Sequence, residues 1–147
     1  MIYRMDMEKK YGPDKTEYTG EFIQGIKTGK GVLLFNNGSK YEGDFYRNQM
    51  HGFGSFLWKN QSEYKGQWSY NKMDGEGTFY FQDGKCYKGH YINDKKEGYG
   101  IFRWPNGKIY KGNWKQGKMN GKGEMFYPED GKWRKGMWDM GKRIKWK

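Results

Sequence analysis

Alanine is absent from this chain and leucine occurs only three times, so the apolar residues that best form helices are nearly missing. That argues against a helical core. Cys86 is the single cysteine, which excludes an internal disulfide framework and fits a reducing compartment. No apolar run approaches the roughly 18 residues that a membrane-crossing helix needs. The N-terminal stretch MIYRMDMEKK lacks the apolar centre of a signal peptide, so an intracellular, soluble protein is expected. His51, His90 and Cys86 fall at unrelated places in the pattern described below, and no ligand cluster has zinc or EF-hand spacing. Neither a nucleophile and base pair nor a metal site is expected, and no cofactor.

What the chain does contain is aromatic side chains, at 20% of residues, and 24 glycines. Aromatic residues favour strands, and glycines favour turns and close backbone approach. An all-β fold follows, and the length of 147 residues predicts one domain with one core.

Tyrosine recurs every 23 residues, at Tyr18, Tyr41, Tyr64, Tyr87 and Tyr110. Each is followed two residues on by glycine and four residues on by Phe22, Phe45, Trp68, Tyr91 or Trp114. A Gly-x-Gly pair comes next, as in Gly52 and Gly54, and four residues later another ring: Phe35, Trp58, Phe81, Trp104 or Tyr127. A strict period over five copies signals a repeat architecture. The copies run 18–40, 41–63, 64–86, 87–109 and 110–133. Residues 1–17 precede them as an extension or degenerate cap, in which Tyr11 to Lys15 resembles a connector between copies. Residues 134–147 form a partial sixth copy with a basic tail, where Arg134 stands in place of tyrosine and the chain is expected to end before a second Gly-x-Gly strand forms.

Each copy reads as two strands. Asn48, Asn71, Asn93-Asp94 and Gln116-Gly117 mark the turns inside copies, and Asn37-Gly38, Asp83-Gly84 and Asn106-Gly107 mark the connectors between them. A long antiparallel meander results. Period-two alternation puts Tyr41, Gly43, Phe45, Gly52, Gly54, Phe56 and Trp58 on one face, and Glu42, Asp44, Phe53, Ser55 and Leu57 on the other. The glycines are expected to leave space in which rings from neighbouring strands lie down, each burying on the order of 150–250 Å². One copy cannot bury its own rings, so stability depends on neighbours.

The succession Tyr-x-Gly-x-Trp/Phe, turn, Gly-x-Gly-x-Phe/Tyr and Trp-Pro-Asn-Gly connector resembles the MORN (membrane occupation and recognition nexus) repeat, most clearly at Tyr110 to Gly123. The resemblance covers Tyr18 to about Trp138. It implies an elongated, single-layered antiparallel sheet, curved so that the aromatic and glycine face forms a groove. It also implies an adaptor: some members attach to membranes or phosphoinositides, and others sit at cytoskeletal and ciliary structures and bind a partner's helix or extended segment. The chain departs from the pattern at Gln61, Ser62 and Glu63, where Gln61 replaces the connector glycine, and at Arg134.

Rings that hold the sheet together would still leave a strip of roughly 50–60 Å across 11 or 12 strands, more apolar surface than a monomer normally exposes. A non-enzymatic scaffold is therefore expected, its groove of Tyr41, Phe45, Trp58, Tyr64, Trp68, Phe81, Tyr87, Tyr91, Trp104, Tyr110 and Trp114 holding a protein segment, in a cytoskeletal or ciliary (axonemal) assembly. The alternative rests on charge. The chain is net +11, and its tail is the most densely basic part. Arg134, Lys135, Lys142, Arg143, Lys145 and Lys147, with Trp146 as an interfacial anchor, would recruit the protein to anionic lipid at the membrane periphery. Nucleic acid is disfavoured because acids such as Glu42, Asp44, Asp74 and Glu76 interleave with the bases. Open sheet edges also allow pairing with a second copy.

Overall fold

The computed structural model describes residues 6–147, with side chains from Lys9 onward. Thirteen strands follow one another as an antiparallel meander, in sheet order identical to sequence order. The chain divides into two compact units, Met1–Lys72 and Met73–Lys147, where length predicts one. The reason lies in the repeat: each ring packs on its own copy and the adjoining ones, so no common core collects the whole chain. In the first unit lie β1 (Asp6–Tyr11), β2 (Glu17–Ile23), β3 (Ile26–Leu34), β4 (Lys40–Tyr46), β5 (Gln49–Leu57) and β6 (Glu63–Ser69). The second holds β7 (Lys72–Tyr80, its first residue on the boundary), β8 (Cys86–Ile92), β9 (Lys95–Arg103) and β10 (Ile109–Lys115). It continues through β11 (Lys118–Tyr127), β12 (Lys132–Asp139) and β13 (Lys142–Trp146).

Two turn types alternate. Inside a copy the reversal takes two residues, both at positive φ, as at Arg47 (47°) and Asn48 (69°) or Asn93 (48°) and Asp94 (68°). This is the turn whose twist matches that of the flanking strands. Its second residue also ties the hairpin to the preceding one: the Asn71 amide donates to the Met50 carbonyl at 2.9 Å, while Asn71 Oδ1 accepts from the Met50 amide at 2.9 Å. Between copies the connector closes with the Phe35 amide donating to the Ser39 carbonyl and the Gly38 amide to the Phe35 carbonyl. Gly38 sits at φ 92°, and Gln61 takes the equivalent place at φ 73°. The replacement of glycine there leaves the connector geometry unchanged. Tyr11 to Lys15 indeed forms a related turn, closed by the Gly12 amide donating to Thr16 O at 2.8 Å. Residues 1–5 of the expected N-terminal extension lie outside the described residues.

The tyrosines form the core. Tyr41, Tyr64, Tyr87 and Tyr110 are 0% exposed and Tyr18 is 1% exposed. Tyr18, Tyr41, Tyr87 and Tyr110 each lie over a pair of facing glycines. A Cβ on Gly54 would stand 2.2 Å from Tyr41 Oη, and one on Gly100 would stand 2.3 Å from Tyr87 Oη. The first glycine of the pair does something else. Gly52 holds φ 102° where the register between β4 and β5 shifts, and its Cβ would meet Asp44 rather than a ring. Gly-x-Gly thus combines a bulge residue with a ring seat, which corrects the expectation that both glycines seat rings.

The sixth copy differs from expectation in a second way. A return strand does form, β13, without a Gly-x-Gly pair. Gly136 faces Trp146 instead of a glycine, and the Trp146 ring packs 5.8 Å from Trp138 and 6.1 Å from Tyr127. The large ring fills the place left by the missing tyrosine. Trp138 covers Tyr110 edge-on at 5.0 Å, as Trp114 covers Tyr87 at 5.3 Å.

Candidate binding surface

The shifted register explains the chemistry around each tyrosine. A bulge leaves a carbonyl turned out of the strand ladder, and a buried carbonyl without a donor costs about 1–3 kcal/mol. The tyrosine three residues earlier supplies the donor. Tyr41 Oη donates to Asp44 O at 2.7 Å, and Tyr18, Tyr64, Tyr87 and Tyr110 donate to Glu21, Gln67, His90 and Asn113 at 2.8–3.0 Å. Burial pushes the Tyr18 and Tyr110 hydroxyls up to about 12 and raises those of Tyr41 and Tyr87 further. These phenols stay neutral donors at any physiological pH.

Eight of the residues expected to line a groove are therefore spent on the fold. Tyr41, Phe45, Tyr64, Trp68, Tyr87, Tyr91, Tyr110 and Trp114 are all buried, packed edge to face and, for Trp68 and Trp114, hydrogen-bonded through Nε1 to Gly54 O and Gly100 O. They present no surface to a partner. Trp58, Phe81 and Trp104 are only half-buried. Phe35 and Tyr127, which belong to the same repeat position, are half-buried too.

These half-buried rings sit at the connector end of each copy, one step beyond the packed layer. In the first unit Phe35 lies 5.4 Å from Phe56, which lies 4.5 Å from Trp58. In the second, Phe81 lies 5.8 Å from Phe102, which lies 4.5 Å from Trp104. Lys108 Nζ bridges the Trp104 and Tyr127 rings at 5.1 and 5.6 Å. A further cation, Lys96, is held among Phe81, Tyr87, Phe102 and Trp114 at 5.4–5.7 Å, with its pKa lowered by burial. Met50, Met73 and Met119 occupy its place in three copies and Lys27 in the first, so two of the five tyrosines carry a lysine where the others have methionine.

Arg134, Lys135, Trp146 and Lys147 of the basic tail line one hollow beside Trp133. Arg134 and Arg143 lie over the Tyr127 and Trp146 rings at 4.9 and 4.1 Å. Trp146 itself is half-buried and packs against Trp138. Lys135 and Lys147 also line a cleft, and Lys145 pairs with Met137 beside it. Lys142 faces Asp139 at the turn. A register shift falls between Met137 and Trp138, and the tail's composition does not reveal it.

Cys86 is half-buried and burial pushes its thiol up, away from the thiolate. Among the described residues no group of His, Cys, Asp and Glu side chains could hold a metal ion. No helix is long and apolar enough to cross a membrane.

The family model for the MORN repeat matches residues 18–40, 41–63, 64–86, 87–109 and 110–132, and the chain belongs to that family. No curated protein matches. Among solved structures, the chain is similar to the TCP domain of Drosophila melanogaster SAS-4 (dCPAP), solved with a proline-rich motif of Ana2 (dSTIL). That match has a TM-score of 0.57 at 14% identity, covering 92% of this chain and 77% of that one. The wild-type TCP10 domain of Danio rerio CPAP, solved with a peptide of Danio rerio STIL, matches at 15% identity over 97% of this chain and 99% of that one, with a TM-score of 0.21. The first likeness is one of fold.

Proposed function

We propose that this protein is a non-enzymatic scaffold that holds a segment of a partner protein against its half-buried connector rings, within a cytoskeletal or ciliary assembly. The observation that carries the proposal is the division between the two ring sets. Tyrosines and second-position rings are sealed, whereas Phe35 and Trp58 in one unit, and Phe81, Trp104 and Tyr127 in the other, keep part of their surface open. Half-open aromatic rows suit a proline-rich or extended chain, whose stiff backbone loses little entropy on docking. The similarly folded SAS-4 domain was solved with a proline-rich motif, which supports the reading by analogy of fold. The cellular placement rests on the family resemblance.

Titration with a proline-rich peptide, followed by tryptophan fluorescence, tests the proposal. Replacing Trp58 and Trp104 with alanine should weaken binding by roughly 30-fold or more, the loss expected of aromatic hot spots. Replacing the exposed Phe53 with serine should leave it unchanged. Unaltered affinity in a folded Trp58→Ala/Trp104→Ala variant would refute the ring site.

A further inference from the structure

The second unit carries another surface, on the face opposite the tyrosines. Strand pairing aligns Lys111 with Glu124 and Glu124 with Lys135, next to the glycine row of Gly100, Gly112, Gly123 and Gly136. The backbone of Gly112, Gly123 and Gly136 forms the floor of a cleft of about 440 Å³. Its walls are Lys111, Lys135 and Lys147 with Glu124 on one side, and Tyr99 with Lys122 on the other. Tyr99 is 58% exposed, a large ring left in solvent at the rim.

Pairing of charges separates this cleft from the corresponding face of the first unit. There the lysines are matched by acids: Lys9 with Glu17 at 2.9 Å, Lys40 with Glu42 at 3.4 Å, Lys65 with Glu63 at 3.0 Å, and Lys30 with Asp44. In the cleft Lys111, Lys122 and Lys135 have no ion-pair partner among the described residues, although Glu124 stands between two of them in register. Lys111 is instead stacked at 4.8 Å over the Trp133 ring, which fixes its position at the wall. Four cations against one carboxylate, over a floor of bare backbone, make a trough with a strong preference for negative charge.

We infer that this cleft docks an extended acidic protein segment, independently of the connector rings. Strands stand about 4.8 Å apart, so Lys111 and Lys135, two strands apart, are separated by roughly 10 Å. Alternate side chains of an extended peptide repeat at about 6.6–6.8 Å, so a run of three or four acidic residues spans the lysines while its backbone lies over the glycines. Tyr99 offers a flat apolar wall at the cleft's side.

The experiment uses the full chain and a fluorescein-labelled oligoglutamate peptide, read by anisotropy at low and moderate salt. Lys111→Glu/Lys135→Glu should weaken binding at least about tenfold. Glu124→Gln should tighten it severalfold, because it removes the cleft's sole carboxylate. Lys59→Glu/Lys118→Glu, with the same net charge but lying elsewhere, should lose less than half as much affinity in logarithmic terms, and Trp58→Ala/Trp104→Ala should bind as the parent does. Circular dichroism confirms that each variant is folded. Equal loss in the two double charge reversals, or no gain from Glu124→Gln, would reduce the effect to net charge and overturn the inference. So would tighter, cleft-dependent binding to phosphatidylserine vesicles or single-stranded DNA than to oligoglutamate.

Discussion

At the scale of single residues, the tyrosine, its glycine seat and the bulge carbonyl form one unit. Tyr41 cannot shift because it is fully buried, and Gly54 cannot grow because the Tyr41 hydroxyl lies 2.2 Å from where its Cβ would be. Gly54→Ala should therefore cost about 3 kcal/mol or more, through displacement of the ring and loss of its bond to Asp44 O. Urea unfolding of the variant measures this, and a change below 1 kcal/mol would mean that the ring relocates freely. The tyrosine and glycine pairing was legible in the sequence, because both recur at fixed spacing and only glycine leaves room for a ring. Which rings remain open was not legible. Tyr41 and Trp58 look alike as aromatic residues of one face, yet one is sealed by neighbouring strands and the other lies past the last of its strand pairs.

At the scale of the element, hairpins and connectors follow from their turn residues, and the strand boundaries fell where Asn-Gly and Asn-Asp steps placed them. The hidden quantity was the register shift inside the hairpins, which recurs between Gly20 and Phe22, Gly43 and Phe45, Gly89 and Tyr91, and Gly112 and Trp114. The shift in β5 spans two residues and so keeps the faces of those beyond it: alternation placed Phe45 beside Tyr41 correctly and missed only the bulge at Gly52, whose Cβ would meet Asp44. Gln61 supplies a test of the connector itself. Its φ of 73° is a conformation that costs a side-chain-bearing residue about 1–2 kcal/mol, partly offset in glycine by greater freedom when unfolded. Gln61→Gly should stabilise the protein by roughly 0.5–1 kcal/mol, seen as a higher midpoint in thermal unfolding. Destabilisation would show that the Gln61 side chain contributes more than its backbone strain.

At the scale of the molecule, stability is spread along the chain in repeated portions, and its response to alkali should reflect that. An unfolded tyrosine loses its proton near pH 10, whereas Tyr18 and Tyr110 in the fold do so at about 12. The folded state thus binds the proton more tightly; its advantage is complete below about pH 10 and is lost as the pH rises through about 12. Strand circular dichroism should collapse in that interval, together with the rise of tyrosinate absorbance; a rise in absorbance well below pH 10 would show that the tyrosines are not sealed. The link from Asn71 to Met50 has a different consequence. Asn48 makes the same link to Lys27, again 21 residues back, so a junction between copies is defined by an offset and not by particular partners. Excision of one whole copy, such as residues 41–63, would bring Asn71 into the offset from Lys27 that Asn48 now has. For this chain length is an adjustable variable, open to change by unequal exchange of its coding segments in steps of one copy.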